Sequence, residues 1–188
     1  MVELATEIER RGFAGIWCPS YGDCMALCQE IGRATTTIPF GTAIQPIYLR
    51  HAQDLANHAG FIHELSGGRF HLGLGVSHGP VHAQLGAAVG KPLADTRAYV
   101  ERIRASERSS GALPPIVLAT LRDKMLDLAL ETAQGAVWAN ASLSAIGTQS
   151  TRARSAAGDA FFLGNMVPTV IGDDRDAARA VHRRTLTG

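Results

Sequence analysis

Cysteine is scarce in this 188-residue chain, and the little there is has no pairing pattern. Cys18, Cys24 and Cys28 are odd in number and never fall in CxxC spacing. That argues against a disulfide framework or a zinc ribbon and for structural thiols in a reducing cytosol, so a cytoplasmic location is expected. Long apolar runs are missing too. None approaches the ~18 residues a membrane helix requires, and no membrane partner is expected. The start of the chain carries Glu3, Glu7 and Glu9 on an amphipathic pattern, unlike a signal peptide. An excess of one charge is also lacking. The net charge is +1 and the 16 arginines are scattered, so there is no basic stripe and no expectation of nucleic acid as a partner. No Ser-His-Asp order and no paired-carboxylate spacing points to an amino-acid nucleophile. Repeats, low-complexity tracts and linkers are absent, and residues 1–188 read as one domain with a real core.

What is present centres on Leu65–Pro80, LSGGRFHLGLGVSHGP. A glycine turn, Ser66-Gly67-Gly68, leads into an apolar strand, Phe70–Val76, that ends on Ser77 and His78. Glycine weakens a strand, because it adds entropy to the unfolded chain and leaves nothing to pack. Gly73 and Gly75 therefore suggest that something bulky lies against the backbone, and tight packing at a barrel corner is the alternative. The GxGxxG pattern of a dinucleotide fold is not formed.

Taken in order, the spacing predicts a helix over Met1–Arg11, a strand at Ala14–Cys18 and a helix over Cys24–Ala34 capped by Asp23. A strand at Ile38–Gln45 ended by Pro46, a helix over Leu49–Leu65 and the strand Arg69–Val76 follow. After a looser stretch, Gly79–Pro92, come a helix over Leu93–Glu107 broken at Ser109-Ser110-Gly111 and a strand at Ile116–Thr120. A helix over Asp123–Gln134, a strand at Gly135–Asn140 and a helix over Leu143–Ala157 come next. A strand within Ala160–Ile171 and a last helix, capped by Asp173 and running through His182, complete the chain. Strand and helix alternate six times with helix-length connections, which requires a parallel sheet. A doubly wound sheet and a (β/α)8 TIM barrel both fit. Short strands with polar residues at their C-terminal ends favour the barrel slightly, although a full barrel takes ~250 residues.

The blocks Leu49-Arg50-His51, Leu65–Phe70 and Gly73–Pro80 together resemble the luciferase-like monooxygenase superfamily. Within it, the similarity is to the branch of oxidoreductases dependent on flavin or on the deazaflavin coenzyme F-420. Gly12-Phe13 with Ile16-Trp17, Ile38–Thr42, and Lys124-Met125-Leu126 followed by Gly135-Ala136-Val137 support it. The resemblance implies a (β/α)8 barrel with FMN or F-420 at its C-terminal mouth, and identifies the six strands as the second to the seventh. An incomplete barrel with two open edge strands is expected, stable only marginally or through dimerisation, so a homodimer is the expected assembly.

The same resemblance implies site residues, each of which has a plainer reading. Thr42, Ala43 and Ile44 match a bulge with a non-prolyl cis peptide behind the ring, whereas residue types alone read as a buried strand end. Gly75, Val76, Ser77 and His78 match the end of the fourth barrel strand near ring and phosphate. A helix cap by Ser77 and a solvent-exposed His78 is the alternative there. His78 is the candidate for touching substrate or shuttling a proton. Ala119, Thr120, Leu121 and Arg122 match a phosphate loop, in which Arg122-Asp123 replaces the Gly-Pro common in relatives. Arg122 offers bidentate phosphate contacts there, while Asp123 would cap the helix and repel phosphate. His78 and His82 at i, i+4 have no evident third metal ligand, so no metal is expected. Arg50 and His51 read as a surface cap, His58, His63, His71 and His182 as structural, and Trp17 and Trp138 as core.

The implied chemistry is hydride transfer or oxygen activation at the ring, with a small-molecule substrate held by Gly79–Pro92 and no protein nucleophile. Its rival is a degenerate barrel acting as a structural partner subunit. A barrel enzyme working on a phosphorylated metabolite without flavin is the weaker third reading.

Overall fold

The computed structural model describes residues 2–20 and 22–187. Its framework is a curled, all-parallel sheet. Strands β1 (Ile16–Cys18), β2 (Phe40–Thr42), β4 (Phe70–Gly75), β5 (Ile116–Ala119), β6 (Gly135–Ala139) and β7 (Phe162–Met166) lie side by side in that order. A two-residue strand, β3 (Gln45–Pro46), pairs with β4 beyond the end of β2. Between the strands run α1 (Val2–Arg10), α2 (Cys24–Ala34), α3 (Ala52–Leu65), α5 (Pro92–Ala105), α7 (Asp123–Thr132), α8 (Leu143–Ala157) and α9 (Arg175–Thr187). Two short helices, α4 (Gly79–Leu85) and α6 (Glu107–Ser110), decorate the connection from β4 to β5. Helices α1, α2, α3, α5, α7 and α8 contact each other pairwise in the same sequence as the strands, forming an outer wall. This is an incomplete TIM-type barrel, as expected.

Residue alternation sorts each strand between the two faces. On β4, Phe70, Leu72 and Leu74 face the helices and belong to one core with Leu55, Ile62, Ile103, Leu118 and Leu126. Trp138 of β6 joins that core, and its indole N–H donates to Gln149 Oε1 on α8 at 2.6 Å. The three cysteines are free and buried in the same core, in keeping with structural thiols.

Local chemistry moves several element boundaries. Asp23 caps α2 as expected, accepting from the N–H groups of Met25 and Ala26. The last helix is capped by Asp174, not Asp173, through the N–H groups of Asp176 and Ala177. Asp123 lies inside α7 rather than capping it, because Arg122 holds the cap position without a side-chain bond. The long helix before β5 breaks earlier than the Ser109-Ser110-Gly111 signal, at Ser106, and a separate turn of helix continues to Ser110. The expected strand Ile38–Gln45 is split after Thr42, and Pro46 belongs to β3 instead of ending the strand.

Candidate functional site

The sheet's register builds its inner face in rows. Trp17, Gly41 and His71 lie abreast on β1, β2 and β4. Nearer the C-terminal ends come Gly73, Val117, Gly135 and Phe162, then Ala119, Val137 and Gly164, then Ala139 and Met166. Trp17 and Phe162 come from the two edge strands, yet their ring centroids are 4.7 Å apart. His71 lies 5.8 Å from Trp17 and 6.5 Å from Phe162. The sheet therefore curls until its edges touch through side chains, and three rings form a floor. Burial pushes the His71 imidazole below its ordinary pKa, so it sits in that floor largely uncharged. Above the floor the inner face carries small residues. Ala119, Val137 and Gly164 are half-buried and Ala139 is exposed, so this strip is accessible from the mouth.

Gly73 and Gly75 have the plainer of the two causes the sequence offered, tight packing against the protein's own backbone and side chains. A Cβ on Gly73 would stand 1.8 Å from the carbonyl oxygen of Thr42, and one on Gly75 would stand 2.9 Å from Ala119 Cβ and 3.0 Å from Ile44 Cγ1. The bulky neighbour is the protein's own chain. Thr42 at the end of β2 and Ile44 in the link to β3 press onto β4, a close approach that only glycine permits. The Ala43–Ile44 peptide bond is cis, at the position the resemblance implied. Thr42 is buried, and its hydroxyl donates to the Gly73 carbonyl at 2.7 Å.

At the end of β4, Val76 and Ser77 are half-buried and His78 is exposed. Ser77 does not cap α4, because His78 occupies the cap position and makes no side-chain bond there. Ser77 instead adopts φ of 62°, a left-handed backbone that costs a side-chain-bearing residue about 1–2 kcal/mol. Asn140, at the end of β6, does the same with φ of 57°. His82 bonds through Nε2 to the Val76 carbonyl. Among the described residues no group of three or more His, Cys, Asp or Glu could hold a metal ion.

At the end of β5, Thr120 is 1% exposed, and its hydroxyl has no hydrogen-bond partner among the described residues. An orphaned buried hydroxyl of this kind costs about 1–3 kcal/mol. Leu121 is exposed, and the exposed Arg122 guanidinium makes no hydrogen bond or ion pair among the described residues. Asp123 is drawn aside, accepting from Gln149 Nε2 at 3.0 Å and facing Arg152 at 4.0 Å.

The remaining sequence candidates fall elsewhere. His51 caps α3, accepting from the Gln53 N–H, while Arg50 faces Asp23 and Asp54. His58 bonds with Arg50, and His182 with the Pro168 carbonyl. Sequence reasoning passed over Phe162, and it noted Asn140 only as a polar residue at a strand's C-terminal end, without a place in the site. The alternation of Phe162 with Gly164 and Met166 was the available signal for the first, and an asparagine directly after a strand for the second.

The fold superposes on a monooxygenase from Streptomyces bottropensis with a TM-score of 0.78 at 15% identity, covering 97% of this chain and 68% of that one. A coenzyme F-420-dependent tetrahydromethanopterin reductase from Methanopyrus kandleri gives 0.78 at 16% identity, covering 99% and 68%. In sequence, a 5,10-methylenetetrahydromethanopterin reductase from Methanolobus tindarius is 29% identical over 99 residues, 51% of this chain but only 30% of that protein. The family model of the luciferase-like monooxygenases matches residues 1–188, and the chain belongs to that family.

Proposed function

We propose that the chain serves a flavin- or deazaflavin-dependent oxidoreductase reaction, with the ring of FMN or coenzyme F-420 held at the C-terminal mouth of the sheet. One observation carries this reading: an accessible strip of small inner-face residues, Ala119, Val137, Ala139 and Gly164, above a floor of three rings. A flat aromatic ligand can lie on such a strip without displacing a side chain. Among solved structures of the same fold, one is named for its dependence on coenzyme F-420 and another is in complex with FMN, which favours the same class.

Bound there, the ring supplies hydride transfer or oxygen activation. The chain's residues bind, orient and exclude water. Thr42, Ala43 and Ile44 would back the ring, with Gly75 and Val76 beside it. Ser77 would turn its N–H and hydroxyl toward a ring or phosphate oxygen. Ala119, Thr120 and Leu121 lead to the start of α7, where Arg122 would take a phosphate in a bidentate contact. With Asp123 tied to Gln149, its charge is partly answered away from that contact. The exposed imidazole of His78 would meet a small-molecule substrate. The substrate itself, the choice between the two cofactors and a homodimeric assembly belong to the same proposal.

Titration of the folded protein with F-420 and with FMN, followed by ring fluorescence, tests it. Saturable binding of one of them near micromolar concentration, lost in Ser77→Trp, is the expected result. A folded sample that binds neither overturns the reading and leaves the partner-subunit alternative.

A further inference from the structure

A cleft of about 280 Å³ opens outside the sheet, between the segment after β3, the start of α3 and one face of α5. Its size is just under the roughly 300–1,000 Å³ of drug-sized ligand sites. Asp95, Ala98, Tyr99 and Arg102 line it at i, i+3, i+4 and i+7, a single helical face. Ala98 adds little bulk to the lining, and Tyr48 and Tyr99 are its aromatic members.

Most polar groups here are already engaged. The Tyr48 hydroxyl donates to Asp95 Oδ2 at 2.8 Å, and the Tyr99 hydroxyl donates to the Arg50 carbonyl at 2.8 Å. Arg50 is shared between Asp23 and Asp54. Two donors are left over. The Arg102 guanidinium makes no hydrogen bond or ion pair among the described residues. His51 Nδ1 accepts the Gln53 N–H at 3.3 Å, so the neutral ring carries its proton on Nε2 as a free donor.

We propose that this cleft binds a small aromatic or aliphatic carboxylate, its head on Arg102 and His51 and its body between the tyrosines. A planar carboxylate matches the guanidinium fork. One unanswered cation beside the Asp95 carboxylate suits a monoanion, whereas a phosphate monoester would bring a second negative charge toward Asp95. The site lies off the inner-face rows and is independent of the cofactor proposal.

The probe is benzoate, followed by backbone amide shifts in the full chain, with benzamide and phenyl phosphate as comparisons. Saturable benzoate shifts at residues 48–52 and 95–102, with a Kd of about 1 mM or tighter, are expected. Benzamide and phenyl phosphate should each bind about tenfold more weakly, as should benzoate to Arg102→Gln. Ala98→Phe should abolish binding by filling the cleft. Both variants should keep the wild-type melting temperature and the wild-type response to F-420 and FMN. Benzoate shifts that fail to saturate, that map elsewhere, or that persist unchanged in Arg102→Gln overturn the proposal. Phenyl phosphate binding more tightly than benzoate overturns the monoanion assignment.

Discussion

The two ends of β4 are built on opposite terms. At its N-terminal end, Arg69 places all five guanidinium N–H groups, donating to the carbonyls of Ser66, Ile38, Gly32 and Thr35 and to the Thr35 hydroxyl at 2.8–3.0 Å. Its guanidinium also lies 5.3 Å from the centre of the Phe40 ring. Nearby, the Glu9 carboxylate accepts from the N–H groups of Thr36, Thr37 and Ile38 and from the Thr37 hydroxyl. Those bonds, the ones from Thr37 and Ile38 foremost, hold Glu9 at a pKa of about 2. At the C-terminal ends of the strands the pattern reverses. Ser77 and Asn140 take left-handed backbones, and among the described residues the Thr120 hydroxyl and the Arg122 guanidinium have no partner. In barrels of this type the N-terminal face is built for stability and the C-terminal face for chemistry. Here that division can be read within one strand and its neighbours.

Arg69→Met is the strongest way to test the stable end. It removes the donors that reach the carbonyls of Gly32, Thr35, Ile38 and Ser66, and should cost about 3 kcal/mol in a urea titration. A loss below about 1 kcal/mol would mean that water or neighbours replace the guanidinium easily. The mouth should answer differently. Arg122→Glu touches no existing bond, so the urea midpoint should stay put while ring-cofactor affinity falls about tenfold. An unchanged affinity would remove Arg122 from the proposed phosphate contact. The smallest effect is expected for Glu9→Gln. The carboxylate is favoured in the folded state, so its contribution is fully present above the ordinary value of 4.5 and is lost as pH falls toward about 2. The gap in melting temperature between wild type and Glu9→Gln should therefore close across that window. A constant gap would show that Glu9 acts through packing rather than charge.

The division also explains what could be read from the sequence. Alternating strands and helices gave the parallel sheet, because the apolar periods in α3 and β4 are set by burial alone, while the incomplete barrel came from the family resemblance. Ser66-Gly67-Gly68-Arg69 stood out as a motif, yet its arginine serves the closed end of the sheet. No residue spacing discloses that four of its five acceptors, the carbonyls of Gly32, Thr35 and Ile38 and the Thr35 hydroxyl, come from more than 30 residues earlier in the chain. Gly73 and Gly75 were legible as a close approach but not as to what approaches, since the partner, Thr42–Ile44, lies about 30 residues earlier in the chain. The bulge itself was accessible only through family resemblance. The floor of Trp17, His71 and Phe162 was hidden for the same reason, as it depends on the curl that brings the two edge strands together.

The central claim is that the mouth gives up stability to hold groups for a ligand, and Ser77→Gly measures both sides at once. Glycine adopts the left-handed backbone without steric strain, which outweighs the entropy it adds to the unfolded chain, and it removes the hydroxyl. Chemical denaturation and ring-fluorescence titration on the same preparation should show a protein about 1 kcal/mol more stable that binds its ring cofactor more weakly. A variant that gains no stability, or one that gains it and binds the cofactor as well as the wild type does, would contradict the account.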